Sequence, residues 1–361
     1  MNVVHLFGRL VYKIWIILFN FFVFALVIPL LTLWATLALY FSSVPWHSLR
    51  ICVALAYVIG TALIFFRSRN RWRAASVFFI VFVVILIWWI HIPATNNRNW
   101  DPSVAVLPWV TIGTNTLTIH NIRDFDYSSP TNYTVHYYTR TFDLNKCNGV
   151  DFAISYFGKS TAVAHTMLSF RFDGGKYLVL SVEVRRIKDD NKDILLTGIF
   201  KQYEIIYILG DERDLYRLRT NYRKEELYLY PTTITPTYAR KLLVDIVWRV
   251  NKLVEEPEFY NTVTHNCTVT LVKHLNDVLP YRIPVYRMFL LNGYADHVAY
   301  EQGGIWSDMP FEEMKKTHLI SGIAQQYNTD PDFSVKIRDQ LPGYNDMLEK
   351  IEDSMSSPPA E

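Results

Sequence analysis

The chain has 361 residues, long enough for one or two ordinary domains, and half of them are apolar. Lysine and arginine number 36 against 34 acidic residues, and a formal net charge of +2 gives no ground for a nucleic-acid partner. Three cysteines are too few for a disulfide framework.

The apolar excess lies almost wholly before residue 93, in three runs: Ile14 to Tyr40, Ile51 to Phe66 and Ala75 to Ile92. A membrane span needs about 20 apolar residues. The first and third runs reach that length, and the second reaches it with its flanks, so three transmembrane helices are expected at about 14–40, 49–66 and 75–92. A cleaved signal peptide fits poorly, because the first run is about twice a signal's apolar core and no small-residue cleavage site follows it. Arg9 and Lys13 precede the first run, and Arg67, Arg69, Arg71 and Arg73 fill the second loop. The positive-inside rule puts both on the cytoplasmic side, and an odd number of spans then puts residues 93–361 outside. Trp88, Trp89 and Trp100 near the exit suit an aromatic belt.

After the third run, residues 93 to about 120 read as an extended lead-in that ends in the strand-like TIGTNTLTIHNI. GVDFAISYF, AHTMLSFRF and KYLVLSVEVRR are strand candidates, and the junction RFDGGKY is a hairpin signal because its residues tolerate positive φ. GIFKQYEIIYILG is a further strand, followed by the charge-dense DERDLYRLRTNYRKEELYLYP, whose mixed charges ordinarily mean a solvated face. TPTYARKLLVDIVWRVNKLVEE is an amphipathic helix with Leu242, Ile246, Val250 and Leu253 on one face, and a second helix starts at or just after Cys267. The closing MSSPPAE is expected to fray. Strands in the middle and helices after them make residues 93–361 one α+β domain.

Cys267 has four readings: nucleophile, small buried residue, disulfide half with Cys147, or metal ligand. A thiol opening a helix faces unpaired amides and the positive end of the helix dipole, which favour thiolate and receive an oxyanion. Asn266 adds a side-chain donor or holds the turn. For a base, His265 is two residues away and His274 two helical turns along, and neither spacing suits proton transfer. His165 opens one strand of the hairpin, and Glu183, late in the other, is available to fix its tautomer. Glu183 also has Arg171 and Arg185 as possible partners, since a carboxylate on a buried strand needs one. His265, Cys267 and His274 lack the paired spacing of zinc sites. Arg213, Arg217 and Arg219 offer contacts to a phosphate or carboxylate.

AHTMLSFRF, LSVEVRR, KQYEIIYILGDERDLYRLRTN, YLYP and EFYNTVTHNCTVTL, in that order, resemble the family named for the Lnb N-terminal periplasmic domain, over roughly residues 121–300. That resemblance implies transfer of an acyl chain from a phospholipid to the N-terminal amine of a lipoprotein, in a bacterial inner membrane with the catalytic domain on the periplasmic side. It also implies a permuted papain-like fold of the NlpC/P60 type, in which a helix carrying cysteine packs on a sheet carrying histidine. His165, Glu183 and Cys267 stand at the family's histidine, glutamate and cysteine, which implies nucleophile Cys267, base His165 and orienting Glu183, with no cofactor and no metal. A papain-like peptidase or amidase, or a membrane-tethered binding module with an inert thiol, are the rival expectations.

Overall fold

A computed structural model describes residues 3–42, 44, 46–158, 161–190, 192–288 and 292–348, so the MSSPPAE tail lies outside the described residues. Contacts divide the chain into two units, one of Met1–Ala94 with Phe200–Gln202 and the other of Thr95–Ile199 with Tyr203–Glu361.

In the first unit, helices α1 (Val3–Phe21) and α2 (Ile28–Tyr40) run on through a π-helical turn at Phe22–Val27. Pro29 follows that turn. Proline has no N–H and its ring crowds the carbonyl four residues back, a misfit that a widened turn absorbs. Helix α3 (His47–Arg67) and α4 (Arg71–Ile90) complete the unit, and Asn70 caps α4 by accepting from the amides of Trp72 at 2.9 Å and Arg73 at 3.3 Å. Three helices, Arg9–Tyr40, His47–Arg67 and Arg71–Ile90, are long and apolar enough to cross a membrane. They overlap the three expected runs. Their buried positions include Ala35, Ala38, Ala54, Ala74 and Ala75, small residues that let helices approach closely where water supplies no drive.

The second unit is mixed α+β around an eight-stranded sheet. Its strands are β1 (Trp109–Ile112), β2 (Thr116–Arg123), β5 (Tyr137–Asp143), β6 (Cys147–Tyr156), β7 (Ala164–Phe172), β8 (Lys176–Arg185), β9 (Glu204–Gly210) and β10 (Glu226–Pro231). A separate pair, β3 (Asp126–Tyr127) and β4 (Tyr133–Thr134), lies in the segment expected to be loop and short strand. The sheet order is β1-β2-β9-β8-β7-β6-β10 with β5 also on β2, and among the described residues only β2 and β9 pair in parallel. The β7–β8 hairpin turns through Asp173, Gly174 and Gly175, both glycines at positive φ (72° and 67°), which is why the Asp-Gly-Gly stretch is there.

The helices of this unit are α5 (Ile194–Thr197), α6 (Glu212–Arg217), α7 (Pro236–Glu255), α8 (Cys267–Val278), α9 (Ala295–Glu301), α10 (Phe311–Thr317), α11 (Ser321–Gln326) and α12 (Phe333–Lys336). Helix α7 buries Leu242, Ile246, Val250 and Leu253 as expected, against a core shared with Leu168, Phe170, Leu178, Leu180, Cys267 and Leu271. A second core on the other side of the sheet joins Met167, Val179, Ile206 and Ile208 to α6 and the C-terminal helices through Leu215, Ile320 and Phe333. All nine residues of β7 are therefore buried, since both of its faces are covered.

Two expectations need correction here. The charge-dense segment after β9 is not a solvated face: it forms α6 and a π-helical turn at Leu218–Tyr222, with Glu212, Asp214, Arg217 and Arg219 all buried. Pairing makes that tolerable, because Asp214 takes Arg123 in a two-point bond at 2.8 and 2.9 Å and Glu212 takes Arg338 at 2.6 Å. Trp100 is not an interfacial residue either. Its ring is buried in the second unit, its Nε1 donates to the Asn96 carbonyl at 3.0 Å, and the Arg185 guanidinium lies 4.3 Å from the ring centre.

Candidate active site

Cys267 is the first residue of α8. Asn266 caps that helix, its Oδ1 accepting from the Val269 amide at 2.9 Å while its Nδ2 donates to the Thr262 carbonyl at 3.0 Å. The Thr270 amide bonds the Asn266 carbonyl at 3.0 Å, so the amides of Cys267 and Thr268 are the first-turn donors ahead of the ladder. The sulfur is buried. Its S–H points at the Ala164 carbonyl 4.0 Å away, the Thr268 hydroxyl is at 3.8 Å, and the Asn292 carboxamide donates to it from 3.7 Å.

Asn292 is a residue the sequence reading missed. Its Nδ2 donates to the Ala164 carbonyl at 2.8 Å and its Oδ1 accepts from the Ala164 amide at 3.1 Å, the two-bond pattern of a neighbouring strand made by one side chain. Strand β8 pairs with β7 only from Met167 onward, so Asn292 holds the strand end that β8 leaves unpaired. Gly293 follows because the chains touch there: a Cβ at Gly293 would meet the Thr161 carbonyl oxygen at 2.0 Å. The only signal for this in the sequence is Asn-Gly, which reads as an ordinary turn.

His165 and Glu183 come together as expected, on facing strands, though with Ser181 between them. The His165 Nε2 lies 2.7 Å from the Ser181 hydroxyl, and that hydroxyl donates to Glu183 Oε1 at 2.8 Å, with Nε2 and Oε1 3.8 Å apart. Since Ser181 spends its proton on Glu183, neutral His165 carries its own on Nε2. Arg219 completes the cluster with a 3.1 Å bond to Glu183. Burial, with Arg219 and Arg223 nearby, pushes His165 down to about 3 against the pull of Glu183. For Glu183 burial pushes up, but Arg219, His165 and Arg123 outweigh it and hold the carboxyl well below the usual range.

The expected contact between His165 and Cys267 is not formed. Side chains alternate along a strand, and on β7 it is Thr166 that faces α8, its hydroxyl 3.0 Å from that of Thr268. His165 therefore lies on the opposite face, opposite Ser155 on β6 and alongside Ser181 and Glu183. The other candidate bases are occupied as well. His274 bonds Asp245 at 2.5 Å through Nδ1 and the Tyr207 hydroxyl at 2.7 Å through Nε2, and His265 bonds the Thr264 hydroxyl at 2.9 Å. Among the described residues no three histidine, cysteine or acidic side chains gather as a metal site.

A bridge from Cys147 to Cys267 is excluded by register. Cys147 faces Phe172 at one end of the β6–β7 pair, and the Cys267 sulfur lies against Ala164 at the other. Eight steps of strand separate those ends by about 26 Å, where a disulfide needs Cα atoms within about 7 Å. Both thiols are free, and burial pushes that of Cys147 up to about 11.

The three arginines suggested for substrate diverge. Arg219 is committed to Glu183 and the Leu215 carbonyl, and Arg217 to Asn328, Asp126 and Tyr222. Arg213 and the edge of Arg217 line a polar cleft of about 510 Å³ together with Arg140, Lys176 and Asp211.

With this geometry in place, the comparison with protein families is decisive for one segment: residues 133–290 match the model described as the Lnb N-terminal periplasmic domain. This segment is similar to that family. The match takes in β7, β8 and α8, and with them His165, Glu183 and Cys267. No curated protein and no solved structure matches the chain. A Lnb-type periplasmic domain together with three helices long and apolar enough to span marks a membrane-associated, lipoprotein-related protein.

Proposed function

We propose that this protein is a membrane-anchored thiol acyltransferase in which Cys267 carries the acyl group. The observation that supports this most is the setting of the sulfur at the start of α8, with first-turn amides and the Asn292 carboxamide beside it. The thiolate adds to the ester carbonyl of a phospholipid, the ester C–O bond breaks, and the lysophospholipid leaves with a proton. The amine of a lipoprotein's lipidated N-terminal cysteine then attacks the thioester, an amide forms and the C–S bond breaks, returning Cys267. The amides of Cys267 and Thr268 receive the oxyanion in both steps.

His165 is the proton acceptor in this reading, and Glu183 orients it through Ser181. Reaching the sulfur requires the first two residues of β7 to turn over. Their backbone is held by β6 and the Asn292 side chain, since β8 pairing begins at Met167, and the turn also gives up the 2.7 Å contact of His165 with Ser181. The permuted papain-like fold, the multi-pass anchor in a bacterial inner membrane and an Arg213 contact to the lipid head group belong to the same reading. Support comes from α8 packed on β7 and from the three apolar helices.

A second reading is favoured by one observation. The opposite-face placement of His165 suits a membrane-tethered binding module in which Cys267 is inert. A thiol-reactive probe separates the two: labelling of Cys267 near neutral pH that falls in His165→Ala supports the enzyme, and labelling indifferent to that change supports the module. Mass spectrometry of lipoprotein N-termini, in cells with and without the gene, tests the substrate. Loss of N-acylation without the gene is expected. Unchanged N-termini beside a His165-dependent thiol would reject lipoprotein acylation and turn the reading toward hydrolysis.

A further inference from the structure

An unfilled slot of about 70 Å³ runs along the side of α8 that faces the sheet. Thr268, Leu271, Val272 and Leu275 form one wall over about 10 Å of helix axis, and Leu168, Ile305 and Ala299 stand across from them. At one end are Thr166 and Thr268, hydroxyls 3.0 Å apart, with the Cys267 sulfur 3.8 Å beyond. At the other end the slot reaches Tyr281 and Gln302, both exposed. None of the described residues lining it is charged.

Those features select an occupant. A head group needs cations, and this lining has none; the Thr166 and Thr268 hydroxyls bond each other and that of Thr232 bonds the Val150 carbonyl, so the wall left to a guest is mainly apolar and removes water from anything apolar. The slot is narrow, which suits a single hydrocarbon chain, and Met288 in its wall is a side chain that yields easily to a guest. Its position beside the sulfur, open at the far end, fits a chain whose carbonyl sits on Cys267.

We propose that this slot holds the acyl chain of the thioester on Cys267, which rests on the acyltransferase reading above and gives it a substrate class, a long unbranched acyl group. Ala299 is the gauge of that chain. A larger side chain there narrows the slot without touching the sulfur, Asn266 or Asn292.

The test uses full-length protein and alkyl methanethiosulfonates of increasing length, methyl, butyl, octyl and dodecyl. Each converts a thiol to a mixed disulfide and releases methanesulfinate, so no acyl transfer is involved. Peptide mass identifies the adduct on Cys267, and exposed Cys52 in α3 reports how much each reagent concentrates around the protein. Relative to Cys52, modification of Cys267 should accelerate at least about tenfold from methyl to dodecyl, since each buried methylene adds drive. Ala299→Phe should abolish that gain and leave the methyl rate unchanged. Ala299→Leu, a smaller intrusion, should show part of the loss if the phenylalanine variant does not fold. A flat length series, or one that both variants leave intact, would overturn the slot. Thioester formation from phospholipid is measured on the same preparation: a length series without thioester rejects the acyltransferase reading alone, and thioester without a length series rejects the slot alone.

Discussion

The two faces of β7 differ in what holds them. Toward α8 stand Ala164, Thr166, Leu168 and Phe170, packed in apolar cores with one threonine pair at the end nearest Cys267. Away from α8, Met167 joins the second apolar core, while His165, Ser169 and Arg171 make buried hydrogen bonds and an ion pair. Arg338 centres that side, bonding Asp151 at 2.8 Å and Glu212 at 2.6 Å, while Ser169 donates to Glu212 at 2.5 Å. One face is tolerant of shape changes of hydrocarbon; the other fails when a single charge loses its partner.

The largest effect should come from the charged face. Arg338→Ala leaves buried Glu212 without its cation and Asp151 with Arg171 alone, and a loss of about 4 kcal/mol in urea unfolding is expected. On the other face, Leu168→Ala leaves a cavity and should cost about 3 kcal/mol by the same measurement. If the arginine variant is the milder of the two, the contrast between the faces is wrong.

Acid distinguishes the faces next. His165 is held down to about 3, against about 6.5 in an unfolded chain, so below pH 6.5 the unfolded state binds the proton first. Stability is therefore complete above that pH and lost as pH falls toward 3, by on the order of 2 kcal/mol between pH 7 and 5. Glu183, also depressed, adds its own loss further down, below the usual carboxylate range. His165→Gln should remove the upper part of that slope, which unfolding at a series of pH values would show. The smallest effect is local to α8. Asn266→Ala removes the cap on Val269 and should cost about 1 kcal/mol of thermal stability, with slower alkylation of Cys267.

Much of this was legible in the chain. The strands, the Asp-Gly-Gly turn and the stripe on α7 follow from period and turn chemistry that depend on near neighbours alone. The His165–Glu183 association followed from the hairpin register. Parity was legible too, and was passed over: in AHTMLSFRF the positions of Ala, Thr, Leu, Phe and Phe make the face an amphipathic helix would choose, which puts the histidine on the other. Asn292 could not be read, because its role as a substitute strand depends on a partner 128 residues away. Nor could the burial of the segment after β9, whose charges are paid for by Arg123 and Arg338, far off in sequence.

The account turns on Cys267 carrying an acyl group, and intact-mass measurement of the purified full-length protein after incubation with phospholipid vesicles tests it most directly. A hydroxylamine-labile acyl adduct that maps to Cys267, and is absent from Cys267→Ser and much reduced in His165→Ala, is the predicted result. A folded protein that stays at its unmodified mass, with a lysophospholipid yield no greater than vesicles alone, would contradict it.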